Sequence, residues 1–191
     1  MLSRIARFAA FAILALTALP AQARVTITFW SYEHAGRFPH AFITMHGTLD
    51  RSGKPIKESY GFTPKSVTPA MLIGNVAGKI DYTTKAYVDV GTPHFSVEIS
   101  DAQYDAVTKM VREWDAKGGN TYSLNKRNCV HFSAEAMRLS GLRVVEDKKL
   151  MKKPRSFTQS IETLNKGRVK VIETTSAAYL AATPALVGVG R

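Results

Sequence analysis

The chain has 191 residues, with 26 lysines and arginines against 15 acidic residues, a formal charge of +11 and a single cysteine. That length excludes a large multidomain assembly and leaves room for one ordinary hydrophobic core. One cysteine excludes an internal disulfide and, with only five scattered histidines, leaves a zinc site and any other cofactor without support.

Arg4 and Arg7 precede an apolar run from Phe8 to Leu19, and Ala21-Gln22-Ala23 supplies a small-residue cleavage site. This is the pattern of a secretory signal peptide over residues 1–23, too short and wrongly flanked for a membrane-spanning anchor. The expected location is periplasmic or secreted, after cleavage near Ala23. Loss of Arg4 and Arg7 takes the charge only from +11 to +9. A basic exported protein suits an anionic neighbour, such as a cell-wall polymer or a lipid surface. No basic motif with interleaved aromatics is present, so nucleic acid is not expected as a partner.

From Arg24 to Ser31 the chain alternates β-branched and aromatic residues, a first strand. A second strand opens at His40 and runs to Gly47. Asp50 to Lys54 reads as a turn and Ile56 to Phe62 as a third strand, so that residues 40–62 form a hairpin. Thr68-Pro69 starts a short helix, which Gly74 and Gly78 interrupt. Lys85 to Val90 and His94 to Ile99 read as two strands around the turn Gly91-Thr92-Pro93. Ser100 and Gln103 make a capping box for a helix whose apolar face is Tyr104, Val107, Val111 and Trp114, ending at Gly118-Gly119. Residues 146–155 are a basic loop, Ser156 to Lys166 a short helix, and Arg168 to Thr174 a last strand. The remaining 176–191 form an apolar tail rich in alanine and glycine, too short and broken to span a membrane. The organisation expected is one α+β domain over residues 24–175, with the tail beyond it.

The chemistry concentrates between Thr121 and Gly141. Asn128 is a helix cap and Cys129 the first residue of the helix it opens, with Phe132, Ala136 and Leu139 in one apolar row. A thiol at a helix N-terminus sits at the positive end of the dipole, which favours the reactive thiolate. A lone cysteine in an oxidising compartment is a liability unless buried or used. A free cysteine that merely fills space is the competing reading.

A nucleophilic cysteine needs a base within reach and a group that orients the base. His131 follows Cys129 by two residues, about 200° around the helix, and points away. His34 lies in a loop without a supporting pattern. His46 shares a strand face with His40 but lies roughly 20 Å along it, so both cannot serve one thiol. His94 opens a strand after a turn and is a reserve. His40, at the start of a strand, is the candidate base.

The segment Asn128-Cys129-Val130-His131-Phe132 is preceded by Tyr122-Ser123-Leu124 and followed by a helix ending at Gly141-Leu142. It resembles the nucleophile segment of the circularly permuted NlpC-like papain-fold cysteine hydrolases, relatives of the lecithin:retinol acyltransferase-like and PPPDE-type proteins. In that permuted order the histidine strand comes first, and His40-Ala41-Phe42-Ile43 stands accordingly upstream of Asn128-Cys129. The resemblance covers roughly Phe38 to Leu142. It implies a permuted papain-like fold, an antiparallel sheet packed against the helix that carries the nucleophile. It also implies Cys129 as nucleophile, His40 as base and an orienting polar residue on the next strand. Glu58, Ser59 and Tyr60 are available there, and a hairpin turning near residues 51–54 favours Tyr60. One residue of register would flip its face.

The activity these features imply is an exported cysteine peptidase or amidase that forms an acyl-enzyme on peptide or amide bonds, with peptidoglycan peptide as the substrate suggested by compartment and charge. Two alternatives remain open. One is a lipid acyl hydrolase or acyltransferase, with the basic 146–155 stretch meeting lipid phosphates. The other is a non-catalytic papain-like binding module or inhibitor, in which Cys129 only packs.

Overall fold

The computed structural model describes residues 24–33, 38–82, 85–117 and 119–189; the expected signal peptide and His34 lie outside them. The alternating segments become a single sheet. Its strands are β1 (Val25–Tyr32), β2 (His40–Thr48), β3 (Pro55–Pro64), β4 (Gly78–Asp81), β5 (Thr92–Ile99) and β6 (Lys170–Val171), in the order β4-β3-β2-β1-β5-β6. Every neighbouring pair is antiparallel. The five helices among the described residues are α1 (Lys85–Val90), α2 (Asp101–Ala116), α3 (Cys129–Leu139), α4 (Pro154–Leu164) and α5 (Ser176–Ala181). The chain is thus α+β, and none of these helices is long and apolar enough to cross a membrane.

Strand alternation sends the two halves of each central strand into different layers. Val25, Ile27 and Phe29 of β1 and Ala41, Ile43 and Met45 of β2 join the main core beneath α2, α3 and α4. Helix α3 lies across β2 and β3, and α4 across β1 and β5. The alternate residues Trp30, Tyr32 and Phe42 face the other way and build a second, smaller core with Val88, Leu186 and Val189. Burial on both faces is why β1 reads as a nearly continuous run of buried residues.

That second core corrects one expectation. Residues 85–90 were expected as a strand and form helix α1 instead. A strand there would need an edge of β5, and both edges of β5 are taken, by β1 and β6. The segment covers the second face of the sheet instead. Val88 is buried, and the Tyr87 ring lies edge-on to Tyr32 at 4.8 Å. The apolar C-terminal stretch covers the same face. The Tyr179 hydroxyl shares a hydrogen bond of 2.8 Å with Thr28 Oγ1, and Lys57 Nζ donates to the carbonyl of Val187. Residues 176–189 therefore pack as part of the same body.

Two further strands differ in extent. The last expected strand, 168–174, shortens to the pair Lys170–Val171 at the sheet edge. Gly78, expected to interrupt the chain, opens strand β4. A β-carbon there would lie 2.3 Å from Phe62 Cζ, so the glycine is what lets that ring lie across β4.

Candidate active site

The loop before Cys129 is tied down residue by residue. Val76 and Tyr122 exchange backbone hydrogen bonds of 2.9 Å, and Ser123 and Arg127 close the next turn at 2.9 and 3.0 Å. The Arg127 guanidinium lies 4.4 Å from the Phe62 ring centroid and 4.1 Å from that of Trp114, and also donates to Thr121 Oγ1 and the Trp114 carbonyl. Such stacking suits the weakly hydrated guanidinium, and it anchors the loop to the core. Asn128 follows with extended backbone and caps α3. Its Oδ1 accepts from the Val130 and His131 amides at 2.8 and 3.2 Å. Its Nδ2 donates to the carbonyls of Leu124 and Met151 at 2.8 Å each. One buried amide thus joins the helix start to two separate loops.

Cys129 is the first residue of α3 and only 4% exposed. The nearby backbone of Ala41, Val130 and Cys129 itself acts to lower the thiol. These groups favour the thiolate, as the helix N-terminus was expected to, but burial outweighs them and pushes the thiol up to about 11. The resting group is the protonated thiol. It lines a cavity of about 210 Å³ whose walls include Phe38, Pro39, Tyr122, Leu124 and Pro154, with Lys152 as the charged member.

His40 opens β2, one residue before Ala41, whose backbone lies near the sulfur. Its ring takes the Phe42 side of the sheet. It stacks on Phe42 at 6.0 Å between centroids and packs on Tyr87 at 5.6 Å. Nε2 lies over Gly61, where a β-carbon would approach it to 2.4 Å, and this buried nitrogen has no hydrogen-bond partner. Burial holds the imidazole down at about 4, so it rests neutral. The structure thus brings the backbone of residues 40–41 to Cys129, while the ring and the thiol lie in different layers without a hydrogen bond between them.

Tyr60 does not orient His40. The observed register pairs Tyr60 with Ile43 and Gly61 with Phe42, so the residue on the His40 side of β3 is a glycine. Tyr60 packs against the main core and the Tyr82 ring, 5.6 Å away. Its hydroxyl is held well above the usual tyrosine range by burial first and the nearby Glu58 carboxylate second. Of the other residues considered on β3, Ser59 donates to the Tyr82 carbonyl and Glu58 accepts from the Tyr104 hydroxyl. The register was open by one residue in the sequence, and one residue moves a side chain to the opposite face.

The remaining histidines have separate surroundings. His131 Nδ1 sits 3.0 Å from Asn128 Oδ1, inside the capping box. His46 lies toward the far end of β2, beside a polar groove of about 550 Å³ that also meets Arg168 and Lys170. His94 Nε2 is 2.8 Å from Ser31 Oγ, both buried, and burial with the nearby Arg155 charge holds that imidazole down at about 4. The Ser31–His94 pair is invisible in sequence because its members are brought together only by the β1–β5 pairing. Among the described residues no three acidic, histidine or cysteine side chains gather as a metal site.

Comparison with known proteins finds no match: no protein-family model, no curated protein and no solved structure matches the chain.

Proposed function

We propose that the chain is an exported cysteine hydrolase of permuted papain-like arrangement, which cleaves peptide or amide bonds through an acyl-enzyme on Cys129. The observation that carries this reading is Cys129 as the first residue of the capped helix α3, at the wall of a cavity and beside the start of β2, which His40 opens. Both groups rest neutral, with the thiol at about 11 and the imidazole at about 4. An ion pair is therefore not preformed, and catalysis through His40 requires its ring to leave the Phe42 side at the start of β2 and reach the sulfur. On this reading His40 takes the thiol proton as sulfur bonds to the substrate carbonyl carbon. The amine then leaves with that proton, and water releases the acid and restores the thiol. Asn128 Oδ1 already occupies the Val130 and His131 amides, so the Cys129 amide is the first-turn donor left to meet an oxyanion. The exported, basic character of the chain suits peptidoglycan peptide as substrate.

A second reading, acyl chemistry on lipids, is favoured by the apolar walls of the cavity and by Lys152 among them, which suit an acyl chain beside an anionic head group. The test is mass spectrometry of Cys129 after incubation with peptidoglycan peptides and, separately, with phospholipid, together with assay of released amine and fatty acid. The expected result is an acyl adduct on Cys129 with release of amine, abolished in Cys129→Ala and strongly reduced in His40→Ala. Release of fatty acid instead would select the lipid reading. No adduct with either substrate, and no alkylation of Cys129 short of denaturant, would leave a non-catalytic binding module in which the cysteine packs.

A further inference from the structure

Residues 65–76 form a braced loop that carries exposed apolar side chains. It is closed at its base by the Lys65 amide on the Ala77 carbonyl, 2.8 Å, and by the Val76–Tyr122 pair. Met71 is buried beneath it, and the turn Pro69–Leu72 is closed by the amides of Ile73 and Gly74 on the Ala70 carbonyl at 3.2 and 3.0 Å. This frame leaves Val67, Leu72 and Ile73 pointing outward, at 65%, 76% and 92% exposure. Single exposed apolar residues are ordinary on a protein surface, but three on one braced loop are not scattered.

The segments that form and flank the loop carry one sign of charge. Residues 59–80 contain no aspartate or glutamate, and neither do residues 116–134. Lys65 and Lys79 beside the loop and Lys117 and Lys126 on the neighbouring segment are exposed. Lys126 also lines a small cavity together with Leu72 and Ile73, which places cation and apolar side chains at one surface. The first acidic residues, Asp81 and Asp115, lie along β4 from Ile80 onward. An exposed apolar loop with Lys126 beside it and further lysines on its flanking segments matches a bilayer with anionic head groups, because the apolar side chains enter the acyl boundary while the ammonium groups meet phosphate.

We propose that the 65–76 loop docks this protein on the surface of an anionic phospholipid bilayer. The loop base is bonded to Tyr122, which lines the Cys129 cavity. The docking rests on exposure and charge, not on the chemistry proposed for Cys129.

The test is co-sedimentation with phosphatidylcholine vesicles made with and without phosphatidylglycerol. The protein is expected to bind the anionic vesicles, to bind the neutral ones far more weakly, and to be released by salt. Leu72→Ser and Ile73→Ser are each expected to weaken partitioning roughly tenfold. Val145→Ser, at an apolar residue exposed elsewhere on the surface, is expected to change nothing. Because both loop residues are exposed, the variants keep the parent Tm, which is measured alongside. No binding to anionic vesicles, or equal binding by the Leu72 and Ile73 variants, would overturn the proposal. So would self-association that the same variants abolish without vesicle binding, since the loop would then be a protein contact.

Discussion

Replacing Asn128 by alanine isolates the device that positions the cysteine. The substitution removes a helix cap, a loss of about 1 kcal/mol. It also leaves the Met151 carbonyl buried without a partner, which costs about 1–3 kcal/mol, and the Leu124 carbonyl partly so, about 1 kcal/mol more. Together the destabilisation is about 3–5 kcal/mol, a large share of the 5–15 kcal/mol typical of a domain. For a chain of this length that lowers Tm by roughly 6–20 °C. Urea denaturation followed by circular dichroism measures it directly, with an unchanged m-value as the sign that both transitions remain two-state. Asn128→Asp separates the contributions. It keeps the capping oxygen and adds a charge that suits the helix N-terminus, but it turns a donor into an acceptor facing two carbonyls. It is expected to be nearly as destabilising as alanine at pH 7. A loss below about 1 kcal/mol in Asn128→Ala would refute the assignment of the two Nδ2 bonds. A stable Asn128→Asp would show that only the cap matters.

Three other outcomes follow from the same packing. His40 titrates at about 4 when folded against 6.5 as a free group, so the unfolded chain binds more protons between those values. Its contribution, about 3 kcal/mol, is present above pH 6.5 and lost as pH falls through 4. The urea midpoint of the parent should therefore drop more steeply over that window than that of His40→Gln, and parallel curves would refute it. His94 acts in the same direction in both proteins and cancels from the comparison. Gly61→Ala should cost about 1–3 kcal/mol because its β-carbon meets His40 Nε2 at 2.4 Å, and His40→Ala should recover most of that loss in a double-mutant cycle. Leu186→Ala should cost about 2–4 kcal/mol by calorimetry, since that side chain is 1% exposed against Trp30 and Phe42; no change would mean that the C-terminal stretch does not cover the sheet in solution.

What was legible in the sequence is what neighbouring residues decide among themselves. The capping box at Ser100, the helix cap at Asn128, the alternation of β1 and β2 and the 40–62 hairpin rest on contacts a few residues apart, and they appear in the structure close to where the pattern put them. The sequence therefore determined which residues stand at the start of α3. It did not determine what surrounds them. The thiol was expected to be acidified by the helix end and is instead held protonated by burial, because desolvation depends on the β2 and α4 neighbours that cover it and not on its own helix. The same holds for the partner of His40. Tyr60 and Gly61 differ by one position, and only the β2–β3 register decides which of them shares a face with the imidazole. Helix α1 shows the limit most plainly. Tyr87, Val88 and Val90 suit a strand by propensity, but the hairpin expected with 94–99 needs the outer edge of β5, and β6 pairs there with Phe95 and Ser96. Edge availability, face and burial are properties of the assembled sheet, and tertiary structure alone decided them.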